Sequence, residues 1–255
     1  MPDFNPSDDG FSASTGGTGA NVAAKLLDSR DNASARTFML SSSGGAFDYM
    51  YIGPRPISSV GYFAVHRGHL IFDLSGADAG TIESAQLCLY ARHADGGGTL
   101  NNGQKFYAVG YDYGGAFNEL ADALPINNTT GDWTSSSVPT YSSEITVNGV
   151  SVGDKITVDL NSPAITAINS ALASDDFDIG LVGNDDYKGD FTISTYGDGF
   201  GYNGVSFYTV EASTSSYRPV LKLTYTGPTT GPVRIQAGSK VKISSGKLFV
   251  GKTVA

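Results

Sequence analysis

The chain has 255 residues and a net charge of −9, and only 16% of its residues are charged. An acidic balance argues against nucleic acid as the main partner, because phosphate binding needs a basic face. The 33 glycines, 14 tyrosines and 13 phenylalanines, together with little helical periodicity, predict an all-β protein.

Three further features narrow the class. Cys88 is the only cysteine, which excludes an internal disulfide, and we expect it to be a small, half-buried strand residue rather than a reactive thiol. No apolar run approaches the roughly 18 residues needed to cross a bilayer, so no membrane span is expected. Residues 1–6 lack the basic start and apolar stretch of a secretory signal, which predicts a protein made in a host cytoplasm.

Strand-like patterns dominate the first half of the chain. Residues 1–20 are rich in Gly, Ser, Thr and Asp and are predicted to be an irregular lead-in, followed by strand-like runs at 21–40 and 47–52. The clearest strand covers residues 68–74 and is followed by a second at 82–91. Their period-two alternation predicts two buried faces, formed by Leu70, Phe72 and Leu74 and by Ala85, Leu87, Leu89 and Ala91.

One helix interrupts the strands of the second half. Residues 163–173 start with a proline suited to a first turn, and Ile165, Ile168 and Leu172 fall on one helical face. The remaining predicted strands cover residues 104–113, 156–160, 177–182, 191–195, 205–210 and 220–226. Many short strands without a βαβ rhythm predict a jelly-roll-like antiparallel β-sandwich with one short helix and a small C-terminal β-hairpin extension.

A change of composition divides the chain near its end. Residues 1–226 are predicted to form the sandwich body, residues 227–232 (GPTTGP) a linker, and residues 233–255 a basic hairpin with strands at 233–236, 240–243 and 247–250. This tail has a net charge of +5, so the remaining residues must have a net charge of −14 to give the −9 of the whole chain. A lone hairpin is marginal in water, so we predict that the tail attaches or assembles the protein, through Arg234, Lys240, Val241, Lys242, Ile243, Lys247 and Phe249.

Three segments resemble a known family. Residues 66–74 (HRGHLIFDL) with 80–90 (GTIESAQLCLY) are similar to the R-x-x-L-x-F-D and I-x-x-A-x-L-x-L-Y pattern of DNRLRE-type β-sandwich modules. Residues 156–160, with the helical pattern at 163–172 and the strand pattern at 177–182, are similar to that family's second half, and residues 217–225 (YRPVLKLTY) to its closing strand. The resemblance covers most of residues 45–226. It implies a sandwich like that of carbohydrate-binding modules, and residues 9–25 and 191–208 look more like the phage-associated branch.

The sequence does not predict an enzyme. His66 and His69 stand three apart, which puts them on opposite faces of a strand and prevents both from easily ligating one metal. No Gly-x-Ser-x-Gly elbow is present to support a nucleophilic serine. We therefore assign no catalytic residue.

Two groups of residues are candidates for ligand binding. Oxygen-rich turns predict either solvated carboxylates or a structural calcium site, with Asp175, Asp176, Asp178, Asp185, Asp186 and Asp190 as its ligands. No other cofactor is expected. Exposed aromatic residues with polar neighbours could stack on sugar rings; the candidates are Tyr111, Tyr113, Trp133, Tyr187, Tyr196 and Tyr202, with Tyr107 and Phe117 in the same pattern.

The leading hypothesis is a non-enzymatic accessory protein on a phage virion surface, as a head decoration, a head fibre or a tail-associated protein. Its partners would be other virion proteins or sister subunits. The first alternative is a secreted or surface carbohydrate-binding module whose partner is a polysaccharide. The second is the subunit of a self-assembling surface filament in which tail strands extend a neighbouring sheet. Both alternatives place the protein outside the cell.

Overall fold

The computed structural model describes residues 3–16, 36–40, 48–57, 62–77, 80–92, 104–110, 138–172, 176–188, 204–226, 240–244 and 247–251. Within these ranges every pair of strands is antiparallel. Two of the three sheets enclose the main cluster of buried apolar residues. The all-β, sandwich-like class predicted from composition and alternation is therefore confirmed.

The first sheet has four strands and the second is larger. Across the small sheet the order is β1 (Asp3–Phe4), β12 (Val220–Thr226), β6 (Thr81–Tyr90) and β9 (Lys155–Asp159). In the large sheet, strands that pair with each other follow in the order β11 (Val205–Tyr208), β4 (Tyr49–Ile57), β5 (Tyr62–Asp73), β10 (Asp176–Gly183), β7 (Gln104–Gly110) and β8 (Ile145–Val147). Strand β5 pairs in addition with β2 (Asp8–Gly16), which pairs in turn with β3 (Arg36–Leu40).

The longest strand, β5, organises the large sheet. One of its edges pairs with β2 from Asp8 opposite Ile71 to Gly16 opposite Phe63. Its other edge pairs first with β4 and then with β10, so the large sheet curls around this strand. The predicted inward face is confirmed, because Leu70 and Phe72 are fully buried in the core. The same holds for the predicted inward face of β6.

Helix α1 (Ser162–Ala171) closes one part of the core. Its first turn is capped by Asn161, whose Oδ1 accepts a hydrogen bond of 3.2 Å from the amide of Ala164. Ile168 is buried and packs into the core. The predicted helix is confirmed, with boundaries one residue earlier at the start and two earlier at the end.

Three local predictions were wrong. Residues 8–16 form a nine-residue strand rather than part of an irregular lead-in; a ladder with β5 stabilises extended backbone whatever the side chains, so composition gave no signal. Residues 184–188 form a short helix, α2 (Asn184–Lys188), rather than a turn. Cys88 is fully rather than half buried, with 1% of its surface exposed.

The C-terminal strands β13 (Lys240–Ser244) and β14 (Lys247–Gly251) form a two-stranded sheet of their own. Their register places Val241 opposite Val250 and Ile243 opposite Leu248. Two of the three predicted tail strands are therefore found. The third, at residues 233–236, lies outside the described residues, as do the predicted linker and the predicted strand at 191–195.

Candidate functional site

Tyrosines and one arginine line the end of the sandwich where the two sheets approach each other. We call this the tyrosine rim and define it as Tyr49, Tyr90, Arg92, Tyr208 and Tyr217. All five side chains are half-buried. Two of them, Tyr49 on β4 and Tyr208 on β11, are direct cross-strand partners and therefore share a face.

Arg92 joins the two sheets at the rim. It follows β6, and its amide donates a 2.8 Å hydrogen bond to the carbonyl of Ser206 on β11. Its guanidinium group is held at two points by Asp48, with Nε at 3.1 Å from Oδ2 and a terminal nitrogen at 2.8 Å from Oδ1. The same group lies 4.5 Å from the ring centroid of Tyr49. Ion pairing and cation–π contact together fix its orientation.

Tyr217 extends the rim onto the short 3-10 helix Ser215–Tyr217. Its ring stacks on Tyr208 at a centroid distance of 5.1 Å and lies 6.0 Å from Tyr90. Gly153 makes this packing possible, because a Cβ there would lie 2.8 Å from the tyrosine ring, and its φ of 87° also favours glycine. The rim is thus a preformed aromatic surface with one oriented cation, suited to stacking and hydrogen bonding.

A second polar cluster fastens helix α2 to the large sheet. Tyr187 stacks on Tyr107 of β7 at 4.2 Å, and its hydroxyl lies 3.1 Å from Thr140 Oγ1. Glu144 accepts hydrogen bonds from the Tyr107 hydroxyl and from two lysines, Lys105 of β7 and Lys188 of α2. The sequence offered no signal for this cluster, since its members lie far apart along the chain.

Charge pairing shifts the acidity of this cluster. The hydrogen bond from Lys105, with those from Lys188 and Tyr107, lowers the pKa of Glu144 to about 2 although burial opposes the shift. Burial, followed by the neighbouring Glu144 carboxylate, raises the pKa of Tyr107 to about 12. Glu144 is therefore ionised, and Tyr107 neutral, across the physiological range.

The predicted calcium ligands do not come together within the described ranges. Asp186 is fully buried, and both of its carboxylate oxygens bind Arg67 at 2.6 and 2.9 Å, so it is not the turn carboxylate that was expected. Asp176 is exposed on β10 opposite Asp73. In the described part of the chain, no group of three or more His, Cys, Asp or Glu residues could hold a metal ion.

The other predicted ligands occupy three kinds of position. Asp178 lies on β10 and Asp185 on α2, and both are half-buried. Tyr187 packs against Tyr107 rather than standing free. The remaining calcium and sugar candidates lie outside the described residues; these are Asp175, Asp190, Tyr111, Tyr113, Phe117, Trp133, Tyr196 and Tyr202.

The predicted assembly residues fall on the C-terminal hairpin. Strand β13 contains four of them and β14 two, while Arg234 lies outside the described residues. The tyrosine rim was not predicted, because Tyr49, Tyr90, Tyr208 and Tyr217 read as ordinary strand tyrosines until the register brings them together.

Comparison with models of known protein families and with curated proteins finds no match to this chain. No helix in the described part of the chain is long and apolar enough to cross a membrane.

Proposed function

We propose that this protein is a non-enzymatic accessory protein of a phage virion surface, which displays its β-sandwich and attaches through residues 233–255. The observation that carries the proposal is the separate two-stranded sheet of β13 and β14. Such a hairpin buries too little apolar surface to be stable alone, so it needs a partner surface.

The charge distribution supports an attachment role. The tail has a net charge of +5 and the remaining residues have a net charge of −14, which together give the −9 of the whole chain. Opposite charges on two parts of a chain steer each part toward a different surface and speed association. Exposed ion pairs contribute under about 1 kcal/mol each, so the charges guide attachment while apolar contacts hold it.

The placement of two histidines and the cysteine, among the described residues, supports a role without catalysis. His66, His69 and Cys88 are all buried, with exposed fractions of 6%, 2% and 1%. Burial, followed by the charge of Arg67, lowers the pKa of His69 to about 3. His69 therefore stays neutral and enclosed at physiological pH, where it is poorly placed to exchange protons with a substrate.

Labelling of intact particles tests this function. Antibodies against the sandwich body should label virions in lysates of the source culture, at regular positions on the head or tail. A chain lacking residues 233–255 should be produced but absent from purified particles. The control is Val152→Ala, at an exposed position of the sandwich body, which should be incorporated normally. Absence of the full-length chain from purified particles would contradict the proposal.

The tyrosine rim favours carbohydrate binding as a second candidate function. Sugar rings stack on flat aromatic surfaces, and the rim places the half-buried rings of Tyr208 and Tyr217 beside the cation of Arg92. A polysaccharide identified on a glycan array should bind the full chain but not Tyr217→Ala. Tyr187→Ala is the matched control, because it removes a tyrosine of α2 that lies outside the rim. If Tyr187→Ala loses binding and Tyr217→Ala keeps it, the sugar site lies at α2 instead.

A further inference from the structure

One of the two edges of the small sheet is formed by β9, and the other by the two-residue strand β1. Within the described ranges β9 pairs with β6 alone, through Leu87 opposite Val158 and Leu89 opposite Ile156. An edge strand presents a row of amide and carbonyl groups that can pair with another chain.

The hydrogen bonds on either side of β9 show which of its groups face outward. The amide of Leu160 donates to the carbonyl of Ala85 at 3.0 Å, and the amide of Ala91 donates to the carbonyl of Asp154 at 2.9 Å. Residues of an antiparallel ladder face their partner alternately. The backbone groups of Ile156 and Val158 therefore face β6, and those of the three residues that alternate with them face outward: Lys155, Thr157 and Asp159.

The side chains of β9 alternate in the same way. Lys155, Thr157 and Asp159 are exposed, whereas Val158 is buried and Ile156 is half-buried against the core. Polar and apolar side chains therefore alternate along β9, with a cation at its first residue and an anion at its last. Read in the opposite direction, the strand has the same alternation of polar and apolar residues, with the positions of the two charges exchanged.

We propose that β9 pairs antiparallel with β9 of a second copy of this chain, about a two-fold axis through Thr157. Each Lys155 then lies opposite Asp159 of the second copy, and each Ile156 opposite Val158. Every outward-facing backbone group meets another outward-facing group, so the hydrogen-bonded pairs form without a change of register. The two small sheets become one continuous sheet, and Ile156 becomes more deeply buried.

The end charges select this pairing over its alternatives. A parallel pairing in register would bring Lys155 beside Lys155 and Asp159 beside Asp159, which costs free energy. A shift by one residue would turn the apolar side chains of the added strand toward solvent. Two short strands bury less than the roughly 1,200 Å² of stable complexes, so the dimer is reversible and forms where copies are concentrated, as on an assembled surface.

A charge exchange at the two ends of β9 tests the pairing. Sedimentation of the full chain over a wide range of concentration should show a monomer–dimer equilibrium. Lys155→Asp alone and Asp159→Lys alone each place like charges opposite each other twice, so each should weaken dimerisation about tenfold. An equimolar mixture of the two variants restores opposite charges at both ends and should dimerise like the original chain, as should the double variant.

A backbone variant gives an independent measurement. Thr157→Pro removes an amide that faces away from β6, so it should abolish dimerisation while the thermal midpoint stays close to that of Thr157→Ala, which keeps the amide. A full chain that stays monomeric, or single-charge variants that dimerise unchanged, would overturn the inference. Association that persists in all β9 variants but disappears without residues 233–255 would also overturn it, while leaving the attachment role of the tail intact.

Discussion

Arg67 and Asp186 form a two-point ion pair inside the protein, with 1% and 0% of their side chains exposed. Arg67 lies on β5 and Asp186 on α2, 119 residues later in the chain. The guanidinium nitrogens lie 2.6 and 2.9 Å from the two carboxylate oxygens. The pair holds α2 against the central strand of the large sheet, together with the stack of Tyr187 on Tyr107.

Removing one member of this pair should destabilise the protein strongly. A buried charge without its partner costs about 3–5 kcal/mol, so Arg67→Met should lower the free energy of unfolding by that amount. The double variant Arg67→Met with Asp186→Leu should lose less stability than Arg67→Met alone, because it removes both charges of the pair and leaves neither one buried opposite an apolar side chain. Urea unfolding of the three chains measures both effects.

The rim arginine provides the matched control. Arg92→Met breaks a pair whose side chains are 21% and 37% exposed, and should cost under about 2 kcal/mol. Equal losses for Arg67→Met and Arg92→Met would show that burial does not set the strength of these pairs.

Glu144 should make stability depend on pH in the acid range. Its pKa in the folded protein is about 2, below the ordinary value of 4.5. A carboxyl with a lowered pKa stabilises the fold above its unfolded pKa, and this contribution is lost as pH falls from about 4.5 toward 2. Glu144→Gln should therefore lose less stability over this interval than the original chain does.

The control for this measurement is Glu83→Gln, at an exposed position on β6. Thermal midpoints at several pH values between neutral and acid check both variants. Identical acid dependence in the original chain and in Glu144→Gln would contradict the expected role of the lysine and tyrosine hydrogen bonds.

The core position of Phe72 predicts a large cost for its truncation. Its side chain is fully buried between the sheets, and Phe→Ala at such positions costs about 3–5 kcal/mol through lost burial and the cavity left behind. Val152→Ala, at a side chain that is 51% exposed, should change stability by less than about 0.5 kcal/mol. Denaturant unfolding compares them, and a small loss for Phe72→Ala would place the residue outside the core.

The elements that the sequence predicted well have a strong local signal. Strands β5 and β6 alternate cleanly because one face lies on the core, and α1 combines a proline in its first turn with an apolar face. Strand β2 has neither an alternating pattern nor an apolar helical face, and it is recognised as a strand only by its backbone ladder with β5. Composition alone therefore described it as irregular.

The candidate sites depend on contacts that no local pattern contains. Asp186 resembles its acidic neighbours in the sequence, and only the fold places it on Arg67. The tyrosine rim likewise requires the register of β4 with β11 and the turn at Gly153. The edge of β9 was predictable as a strand, but its outward-facing groups follow only from the ladder with β6.

Calcium removal should leave the thermal midpoint unchanged. Both oxygens of Asp186 are taken by Arg67, and Asp176 lies on a strand opposite Asp73 rather than in a turn. A ligand that binds only the folded state stabilises it by mass action, so a bound ion would be revealed by chelation. A lower midpoint with chelator, abolished by Asp185→Asn, would support the predicted calcium site in this region.

A chain that ends at Gly227 should fold and melt cooperatively, with a midpoint close to that of the full chain. Strand β12 pairs with β6 as far as Thr226 opposite Thr81, so the cut leaves every described strand of the two sheets in place. The hairpin of β13 and β14 is a separate sheet, and ordering its backbone costs about 1–2 kcal/mol per residue, which its few apolar residues cannot offset without a partner. Attachment to particles should be lost, and attachment of the full chain should weaken with salt because five positive charges assist it.

Calorimetry of the shortened chain checks its folding, and its recovery from purified particles checks its attachment. A shortened chain that does not fold would make the tail an integral part of the sandwich, and one that still attaches would remove the tail from the mechanism.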